Sequence, residues 1–398
     1  MNFLETYLEY TKSQETTERV HRWVGLQIIA AALERRVWIN RGHYTLYPNL
    51  YVFVVGPSGK VKKSTSTAIG VNLLRELKEF KILSERLTAA SLIDQLSKAS
   101  RVFHCGGRDI KQAATFAYGS ELKTFLGEVF GSITELLTTF YDCVPHDSEK
   151  PWIYETRTSG VLKIYGPCIN FLGATTPDWL RDCISPSELS GGFASRIIFV
   201  VESQQRRAIA WPDLEIKTNE QEAQRRVLVS DLKRIYTLCG AFRLTEELRQ
   251  YGKLWYEKHT FKSTLNQDAR FSGYYARKFD TILKLAMSIS VSRDSSLLLD
   301  VSHFEEALSY LDDVEQTMID VFGSHGENPN ASLTERVWEL VRSTGKIKMS
   351  QLLKLLRRDT DMLKLTAIVT DLRVMGRVRQ INEGNEIALL PIEGEKPL

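Results

Sequence analysis

The segment from Asn49 to Phe80 constrains the fold of this 398-residue chain more than any other part of it. Asn49–Val55 is a short run of β-branched and aromatic residues with no polar alternation, which is typical of a strand buried on both faces of a parallel sheet. A loop of glycine, proline, serine and lysine follows, and Ser64–Phe80 then has the 3.6-residue apolar period of a helix. The order strand, glycine loop, helix predicts a layered α/β domain.

The rest of the chain up to about residue 205 alternates between strand-like and helical patterns, as α/β domains do. A helical stretch from Phe3 to about Val37 precedes this domain, and from Thr218 to Phe322 every long segment has helical periodicity, which predicts an all-helical second domain. Strand-like runs lie at Ala113–Tyr118, Cys168–Leu172 and Ile197–Val201, and helical patterns lie at Ala89–Ala99, Leu122–Cys143 and Pro177–Ile184.

The C-terminal part follows a stretch of turn residues, 323–332, that predicts a linker. Beyond it, three short helical patterns precede two strand-like pieces, Val378–Ile381 and Glu386–Leu390. Three helices and a two-stranded wing outline a winged helix-turn-helix domain, whose third helix can enter a DNA major groove. A protein-interaction or lid module fits the same outline, but nearby basic residues favour DNA. These residues are Arg357, Arg358, Lys364, Arg373, Arg377 and Arg379.

We therefore expect five segments along the chain. They are an N-terminal helical segment (1–45), the α/β domain (46–205), a helical or lid domain (206–322), a linker (323–332) and a winged helix (333–398).

Composition excludes several classes of protein. With 43% hydrophobic and 25% charged residues, the chain has the proportions of a globular protein and is neither disordered nor collagen-like. Lysine and arginine total 52 against 49 acidic residues, so any nucleic-acid binding must be local. The five cysteines are scattered without a C-x-x-C pair, and we interpret them as reduced thiols. The sequence contains neither a signal peptide nor an apolar run of the ~18 residues that a membrane span needs, so we expect a soluble, cytoplasmic protein.

The loop after the buried strand resembles a Walker A motif. In that motif, backbone N–H groups and a helix N-terminus cradle phosphate oxygens, a lysine neutralises them, and a hydroxyl holds Mg²⁺. If Lys63 and Ser64 are the Lys-Ser pair, Lys62 replaces the usual glycine, and Gly56 lies one residue further upstream than usual. The strand before and the helix after favour a functional phosphate loop over a lysine-rich surface turn. The expected cofactor-binding residues are Gly56, Pro57, Ser58, Gly59, Lys60, Val61, Lys62, Lys63, Ser64 and Thr65.

A catalytic partner for this loop is expected at the end of another strand of the sheet. Glu121 follows the run Ala113–Tyr118, and a carboxylate there can orient and deprotonate the water that attacks a γ-phosphate. The preceding residue is Ser120 where a Walker B motif usually has Asp, which predicts a weaker metal contact. The alternative is an ordinary acidic residue at a helix N-terminus.

The order of these motifs resembles the P-loop ATPase domain of phage, prophage and plasmid replication proteins. Those proteins are similar to virulence-associated protein E and to other superfamily-3-like primase-helicases. The resemblance rests on Leu46–Gly59 with its Lys-Ser-Thr, Gly119–Leu122, Phe171–Pro177 and Ser190–Arg196, and extends from about Thr16 through the helical domain. It implies an AAA+-like core that forms a ring, usually a hexamer, and moves along DNA using ATP.

The resemblance implies roles for single residues. Lys63 would bind the β- and γ-phosphates, Ser64 would bind Mg²⁺, and Glu121 would be the catalytic base. Thr176 resembles the sensor 1 residue that positions the water or γ-phosphate, and Thr175 is a close second.

Two arginines complete the implied site. Arg196 resembles the arginine finger that reaches the ATP of the neighbouring subunit, and Arg277 resembles the sensor 2 arginine of the helical lid. The alternative for each is a solvated salt bridge, which is the commoner fate of an arginine.

A predicted hairpin between Lys150 and Ile164 lies before sensor 1, where superfamily-3-like rings project a hairpin into the central pore. A pore that grips a phosphate backbone needs cations and a stacking ring. The candidate residues are Lys150, Trp152, Arg157 and Lys163. The alternative is a hairpin whose tryptophan packs on the core.

We therefore expect an ATP- and Mg²⁺-dependent, ring-forming DNA helicase that replicates a phage, plasmid or other mobile element. Its partners would be single-stranded DNA in the pore, duplex DNA at the winged helix through Arg373 and Arg377, and further copies of itself in a hexamer. A primase, where one is needed, would be a separate chain. The alternatives are a replication initiator or regulator that uses ATP as an assembly switch, and an ATPase that loads or remodels proteins.

Overall fold

The computed structural model describes residues 2–126, 130–145, 149–156, 160–184, 189, 191–212, 218–262, 269–322, 331–357, 359–383 and 386–392. These residues form a mixed α/β structure with parallel strands and several helices. They divide into two compact units, Met1–Val321 and Phe322–Leu398. None of the helices within the described ranges is both long and apolar enough to cross a membrane.

The first unit contains most of the secondary structure. Its helices are α1 (Phe3–Tyr10), α2 (Glu18–Leu33), α3 (Lys63–Leu74), α4 (Ala89–Lys98), α5 (Leu122–Leu126), α6 (Phe130–Tyr141), α7 (Pro177–Cys183), α8 (Thr218–Thr237), α9 (Glu246–Lys262), α10 (Ser272–Arg293) and α11 (Val301–Phe322). Its strands are β1 (Val37–Asn40), β2 (Thr45–Leu46), β3 (Tyr51–Val55), β4 (Arg101–Cys105), β5 (Arg108–Gly119), β6 (Pro151–Thr156), β7 (Gly160–Tyr165), β8 (Pro167–Thr175), β9 (Ile197–Val201), β10 (Gly240–Ala241), β11 (Arg243–Leu244) and β12 (Leu298–Leu299).

A five-stranded sheet organises this unit, with the strand order β4-β5-β8-β3-β9. Strands β5, β8, β3 and β9 are parallel, and β4 pairs antiparallel with β5 at one edge. All five residues of β3 and all nine of β8 are buried, as expected for strands covered on both faces. The register pairs Val55 with Thr175 and with Val201, so the carboxyl ends of β3, β8 and β9 lie side by side.

Helix α2 packs against both the sheet and α3. A Cβ added to Gly70 of α3 would lie 2.5 Å from Val24 of α2, so the close approach of the two helices requires glycine. The amide of Gln27 donates to Leu50 O at 3.1 Å, and Asn170 Oδ1 accepts from Leu50 N at 2.9 Å. These bonds pair the backbone N–H and C=O of Leu50, whereas Gln27 Oε1 has no partner among the described residues.

The N-terminal helices, the sheet and the later helices share one hydrophobic core. This core contains Trp23 and Ile28 of α2, Leu228 of α8, Leu285 of α10 and Leu311 of α11. Burying these apolar faces in the same cluster makes α1, α2, α8, α10 and α11 part of the body that carries the sheet.

Several sequence-predicted elements are confirmed, and their ends differ by a few residues. Strand β9 has the predicted bounds, and β3, β5 and β8 contain most of each predicted run. Within the helical stretch expected over Leu122–Cys143, the structure has α5 over Leu122–Leu126 and α6 over Phe130–Tyr141, and residues 127–129 lie outside the described residues. The helix expected to reach Phe80 ends at Leu74, where Leu77 N bonds to Leu74 O in a turn.

The second unit has a small sheet and three helices with a core of their own. They are α12 (Ala331–Thr344), α13 (Met349–Leu355) and α14 (Met362–Val374), with β13 (Ile347–Lys348), β14 (Val378–Glu383) and β15 (Glu386–Pro391) in the order β13-β15-β14. Its core includes Val337, Leu352, Leu365, Ile368 and Leu389. Of the predicted linker, residues 323–330 lie outside the described residues.

Candidate functional site

The loop between β3 and α3 begins at the carboxyl edge of the central sheet. Gly56 N donates to Thr175 O at 3.1 Å, and on the other side of β3, Glu202 N donates to Val55 O at 2.8 Å. A Cβ on Gly56 would lie 2.4 Å from Glu202 O, closer than real Cβ atoms come to backbone oxygen. The start of the loop is therefore held between the ends of β8 and β9, and only glycine fits there.

Lys62 occupies a backbone conformation that usually belongs to glycine. It precedes α3 with φ 52° and ψ 34°, which is left-handed. For a residue with a Cβ, this conformation costs on the order of 1 kcal/mol. Lys62 Nζ lies 3.6 Å from Glu15 Oε2, so its side chain points to the segment that joins α1 to α2.

Lys63 is the first residue of α3 and folds back over the loop. Its ammonium donates to Gly56 O at 2.6 Å and to Pro57 O at 3.1 Å, and the residue is buried. Burial lowers the pKa of Lys63, and the negative charge of Glu121 opposes that shift. The loop thus encloses one cation next to a carboxylate that comes from another strand.

Ser64 connects the start of α3 to the end of β5. Its hydroxyl donates to Ser120 O at 3.1 Å. Glu121 is exposed and follows directly, and its carbonyl accepts from Thr124 N and Phe125 N as α5 begins. The structure therefore brings together Lys63, Ser64 and Glu121, which the motif order had predicted to share a site.

The two threonines at the end of β8 have different roles in the fold. Thr176 caps α7, because its hydroxyl accepts from Trp179 N at 3.4 Å. Thr175 is buried beside Val55, and its hydroxyl has no hydrogen-bond partner among the described residues. Of the two threonines, Thr175 is therefore the one whose hydroxyl is not already used in a hydrogen bond within the described residues.

The segment that joins α1 to α2 hydrogen-bonds to the phosphate loop and to α3, and no sequence motif predicted these contacts. Thr16 Oγ1 donates to Val61 O at 2.8 Å and hydrogen-bonds to Ser66 Oγ. Glu15 in turn accepts from Arg206 N through its carbonyl and from Ile209 N through its carboxylate. No motif marks these residues, because their importance depends on contacts between positions about 45 residues or more apart in sequence.

Arg196 lies at the amino ends of the parallel strands, opposite the phosphate loop, and we call this end of the sheet the amino edge. It directly precedes β9, whose first residue pairs with Tyr51 at the amino end of β3. Its guanidinium donates to Asp142 Oδ2 at 2.7 Å and to Gly192 O at 2.9 Å, and its side chain is 7% exposed. Because β3 spans about 13 Å between its two ends, Arg196 is remote from the phosphate loop of its own chain.

Arg277 belongs to the same edge as Arg196. It lines a cavity of about 240 Å³ together with Tyr141, Asp142 and Lys284. Burial and then the nearby charge of Arg196 lower the pKa of Arg277. The role of Arg277 as the sensor 2 arginine of the helical lid stays a prediction, and the structure places this residue beside Asp142 and Arg196.

Lys284 is a further buried cation at this edge, and it was not among the residues predicted from the sequence. Its ammonium donates to Asn49 Oδ1 at 2.8 Å and lies 3.9 Å from the centre of the Tyr141 ring. The signal that could have identified it is a lysine within the apolar stretch Ile282–Leu285 of α10, where a charge needs partners.

The predicted hairpin is confirmed as the antiparallel pair β6 and β7, but its faces differ from those expected. Trp152 is half-buried and packs edge-on against Phe140 at 5.1 Å, so its indole faces the protein. Lys163 is exposed opposite Ile153, which is 57% exposed. Lys150 is exposed, and Arg157 lies outside the described residues.

The two basic residues selected in the second unit are not equivalent. Arg377 Nη1 donates to Glu335 Oε2 at 2.9 Å, and its guanidinium lies 5.8 Å from the Trp338 ring. Arg373 is exposed in the last turn of α14. The solvent-exposed face of α14 carries apolar and hydroxyl side chains, with Leu363 86% and Val374 80% exposed.

Within the described ranges, no three His, Cys, Asp or Glu residues form a group that could hold a metal ion. A Mg²⁺ ion that binds with substrate phosphates needs only one or two protein oxygens, which Ser64 and Glu121 offer at the carboxyl edge. No family model and no curated protein matches this sequence.

Proposed function

We propose that this chain is an ATPase that binds ATP with Mg²⁺ at the loop Gly56–Thr65. The observation that carries the proposal is the pair of contacts made by consecutive residues of α3: Lys63 bonds into the loop, and Ser64 bonds to the backbone beside Glu121. A phosphate cradle requires a cation, a hydroxyl and a carboxylate at the carboxyl ends of strands in one parallel sheet. Lys63 and Ser64 follow β3 and Glu121 follows β5, with β8 between these two strands.

Each of these residues has a defined task in hydrolysis. Lys63 exchanges the carbonyls of Gly56 and Pro57 for phosphate oxygens and neutralises their charge, and backbone N–H groups of the loop contact the same oxygens. Glu121 accepts a proton from the attacking water, and Thr175 orients that water or the γ-phosphate with its unpaired hydroxyl. Mg²⁺, held through Ser64, adds charge stabilisation at the phosphates.

Arg196 then acts on the ATP of a neighbouring copy. It lies at the amino edge of the sheet, so the loop of its own subunit is out of reach, and a second copy must supply the nucleotide it contacts. Arg277 and Lys284 line a cavity at the same edge, where Asp142 and Asp280 balance their charges. Such a contact between different faces of two copies is heterologous, and a heterologous contact whose rotation closes forms a ring, which is the assembly we propose.

DNA is the proposed substrate of the ring. The resemblance to superfamily-3-like replication proteins supports this, as do the exposed Lys150 and Lys163 at the hairpin of β6 and β7. Trp152 does not contribute stacking in this arrangement, since Phe140 covers its ring. In the second unit, the order of three helices and a two-stranded wing supports a winged helix, with Arg373 as the more available cation.

A second candidate function is an ATPase that loads or remodels proteins. The specific observation that favours it is the exposed face of α14, where Met362, Leu363, Thr366, Ala367 and Thr370 line a groove. A recognition helix for DNA presents cations and amides to a groove of the duplex, whereas this groove is lined by apolar and hydroxyl side chains and by Asp371.

The experiment that tests the proposal measures ATP hydrolysis with and without single-stranded DNA, beside particle size with and without nucleotide. We expect hydrolysis that DNA stimulates and assembly that ATP promotes. Lys63→Ala should lose nucleotide binding, and Glu121→Gln should bind ATP but not hydrolyse it. Hydrolysis without any response to DNA, on a protein that still assembles, would favour the protein-remodelling function, and absence of ATP binding would refute both.

A further inference from the structure

A cavity of about 470 Å³ lies beside the phosphate loop, between α1, the segment that joins α1 to α2, and Arg206. This volume is in the range of small-molecule sites. Thr16 lines the cavity and is also the residue whose hydroxyl donates to Val61 O of the loop at 2.8 Å. The cavity and the loop therefore share a wall, and one extended ligand could occupy both.

His21 of α2 lines this cavity and is 2% exposed. Its ring packs edge-on against Tyr7 at 6.4 Å, and neither ring nitrogen has a hydrogen-bond partner among the described residues. Burial lowers the pKa of His21 to about 4, so the imidazole is neutral near pH 7. A neutral imidazole offers one donor and one acceptor, and leaving both unpaired in a buried place is costly.

The cavity is lined by charges of both signs, whereas the loop carries lysines. Glu5, Glu9 and Glu18 line the cavity together with Lys12 and Arg206, so their formal charges nearly balance, and the loop carries Lys60, Lys62 and Lys63. A ligand that spans both places its anionic end in the loop and an uncharged end with donors and acceptors in the cavity.

We propose that this cavity holds the base and ribose of the nucleotide whose phosphates bind the loop, and that His21 hydrogen-bonds the edge of the base. The proposal rests on the proposed ATPase function. It makes α1, α2 and the segment between them a part of the nucleotide site, with Thr16 joining the nucleoside pocket to the phosphate loop.

The test compares the affinities of ATP and inorganic tripolyphosphate, which has no nucleoside. His21→Phe keeps an aromatic ring against Tyr7 and removes both nitrogens. We expect it to weaken ATP about tenfold, to leave tripolyphosphate within about twofold, and to raise the melting temperature, because two unpaired polar atoms leave the core. His21→Gln should recover most of the ATP affinity. His303→Gln, at a buried histidine paired with Asp300, is the matched control and should change neither affinity.

A second variant keeps the test decisive if substitution of His21 disturbs folding. Leu8→Trp fills the cavity from α1 without touching the loop, and it should weaken ATP but not tripolyphosphate. Equal weakening of both ligands, or unchanged ATP binding in variants that fold, would overturn the inference while leaving the ATPase proposal standing. Lys63→Ala should abolish binding of both ligands, and wild-type protein that binds neither would refute the ATPase proposal itself.

Discussion

The two edges of the central sheet differ in how their polar groups are satisfied. At the carboxyl edge, the hydroxyl of Thr175 and, nearby, the ring nitrogens of His21 have no partner among the described residues. At the amino edge, Arg196 is bonded to Asp142, and Lys284 is bonded to Asn49. The carboxyl edge thus holds polar atoms without a partner. At the amino edge Arg196 and Lys284 pair within the chain, and of the atoms of the Arg196 guanidinium only Nε has no partner among the described residues.

Because they differ in this way, the two edges can cooperate across a subunit interface. Polar groups left unpaired in the core cost free energy unless a ligand pairs with them, so the carboxyl edge is suited to bind a ligand within its own subunit. The guanidinium of Arg196 pairs with the exposed carboxylate of Asp142, and it can exchange this partner for a stronger anion that a neighbouring subunit presents. The amino edge is therefore suited to act on a neighbour.

Substitution of Arg196 should change activity most. Arg196→Ala should still bind ATP within about threefold, but its hydrolysis should fall about 10³-fold, because the missing charge stabilises the transition state more than the ground state. Mixed with Lys63→Ala, which is also inactive, it should regain activity at interfaces that join an intact loop to an intact Arg196. The measurement is the steady-state rate of ATP hydrolysis as a function of the ratio in which the two variants are mixed.

Arg196→Ala also has a structural alternative, which the mixture separates. If Arg196 served only its ion pair with Asp142, the variant would be destabilised and could not complement. Mixed assemblies that contain both variants but remain inactive would contradict action on a neighbour. Asp142→Asn, which removes the partner but keeps the arginine, is the control and should retain hydrolysis.

Lowering the pH should destabilise the folded chain through protonation of His21, which lies beside the carboxyl edge. Its pKa in the folded chain is about 4, below the ordinary value of 6.5, so the unfolded state takes up a proton first as the pH falls. Stability from this residue is complete above pH 6.5 and is lost between 6.5 and 4, by about 3 kcal/mol in total. Urea unfolding at pH 7 and at pH 4.5 measures it as a difference from His21→Phe, because every other group is the same in the two proteins. Equal pH dependence in both proteins would mean that His21 is not buried as described.

The two threonines at the end of β8 should separate binding from folding. Thr175→Val removes an unpaired hydroxyl, so we expect the protein to become more stable by about 1 kcal/mol while hydrolysis falls about tenfold or more. Thr176→Val removes a helix cap and should cost about 1 kcal/mol of stability with little change in hydrolysis. Thermal unfolding and single-turnover hydrolysis of both variants make the test, and the opposite pattern would restore Thr176 as the sensing residue.

Substitution of Lys62 should have the mildest consequences. Lys62→Gly removes the strain of a left-handed backbone in the folded state, but it also increases the backbone entropy of the unfolded state. Because these two effects oppose each other, the free energy of unfolding should change by less than about 1 kcal/mol. Nucleotide affinity should stay within about threefold, because Lys63 and not Lys62 bonds into the loop. Loss of ATP binding in this variant, measured by titration, would assign the phosphate lysine to Lys62 and shift the register of the loop by one residue.

Much of the architecture could be predicted from local patterns. The buried strands β3, β8 and β9 are continuous apolar runs, and such runs are recognisable without knowledge of their neighbours. The loop could be recognised because glycine and lysine between a buried strand and a helix are typical of a phosphate-binding turn. Strand β4 was missed, since an antiparallel edge strand with exposed Val102 has no continuous apolar run.

The candidate site was predictable only in part. Lys63, Ser64 and Glu121 come directly after or before strong local patterns, and the structure brings them together. Thr16, His21 and Lys284 carry no motif, because their roles depend on what faces them across the fold. Arg277 was assigned from motif order alone, and motif order does not say at which edge of a sheet a helix residue lies.

Local sequence patterns were enough to predict the order of strands, loops and helices, because hydrophobic period and turn chemistry act over a few residues. They could not predict that β3 lies between β8 and β9, so that Thr175 and Glu121 meet the loop while Arg196 and Arg277 lie at the other edge. That arrangement comes from tertiary packing. Burial of apolar area between segments more than 200 residues apart, such as Ile28 of α2 and Leu285 of α10, selects the strand order and the helix positions, and no local pattern records it.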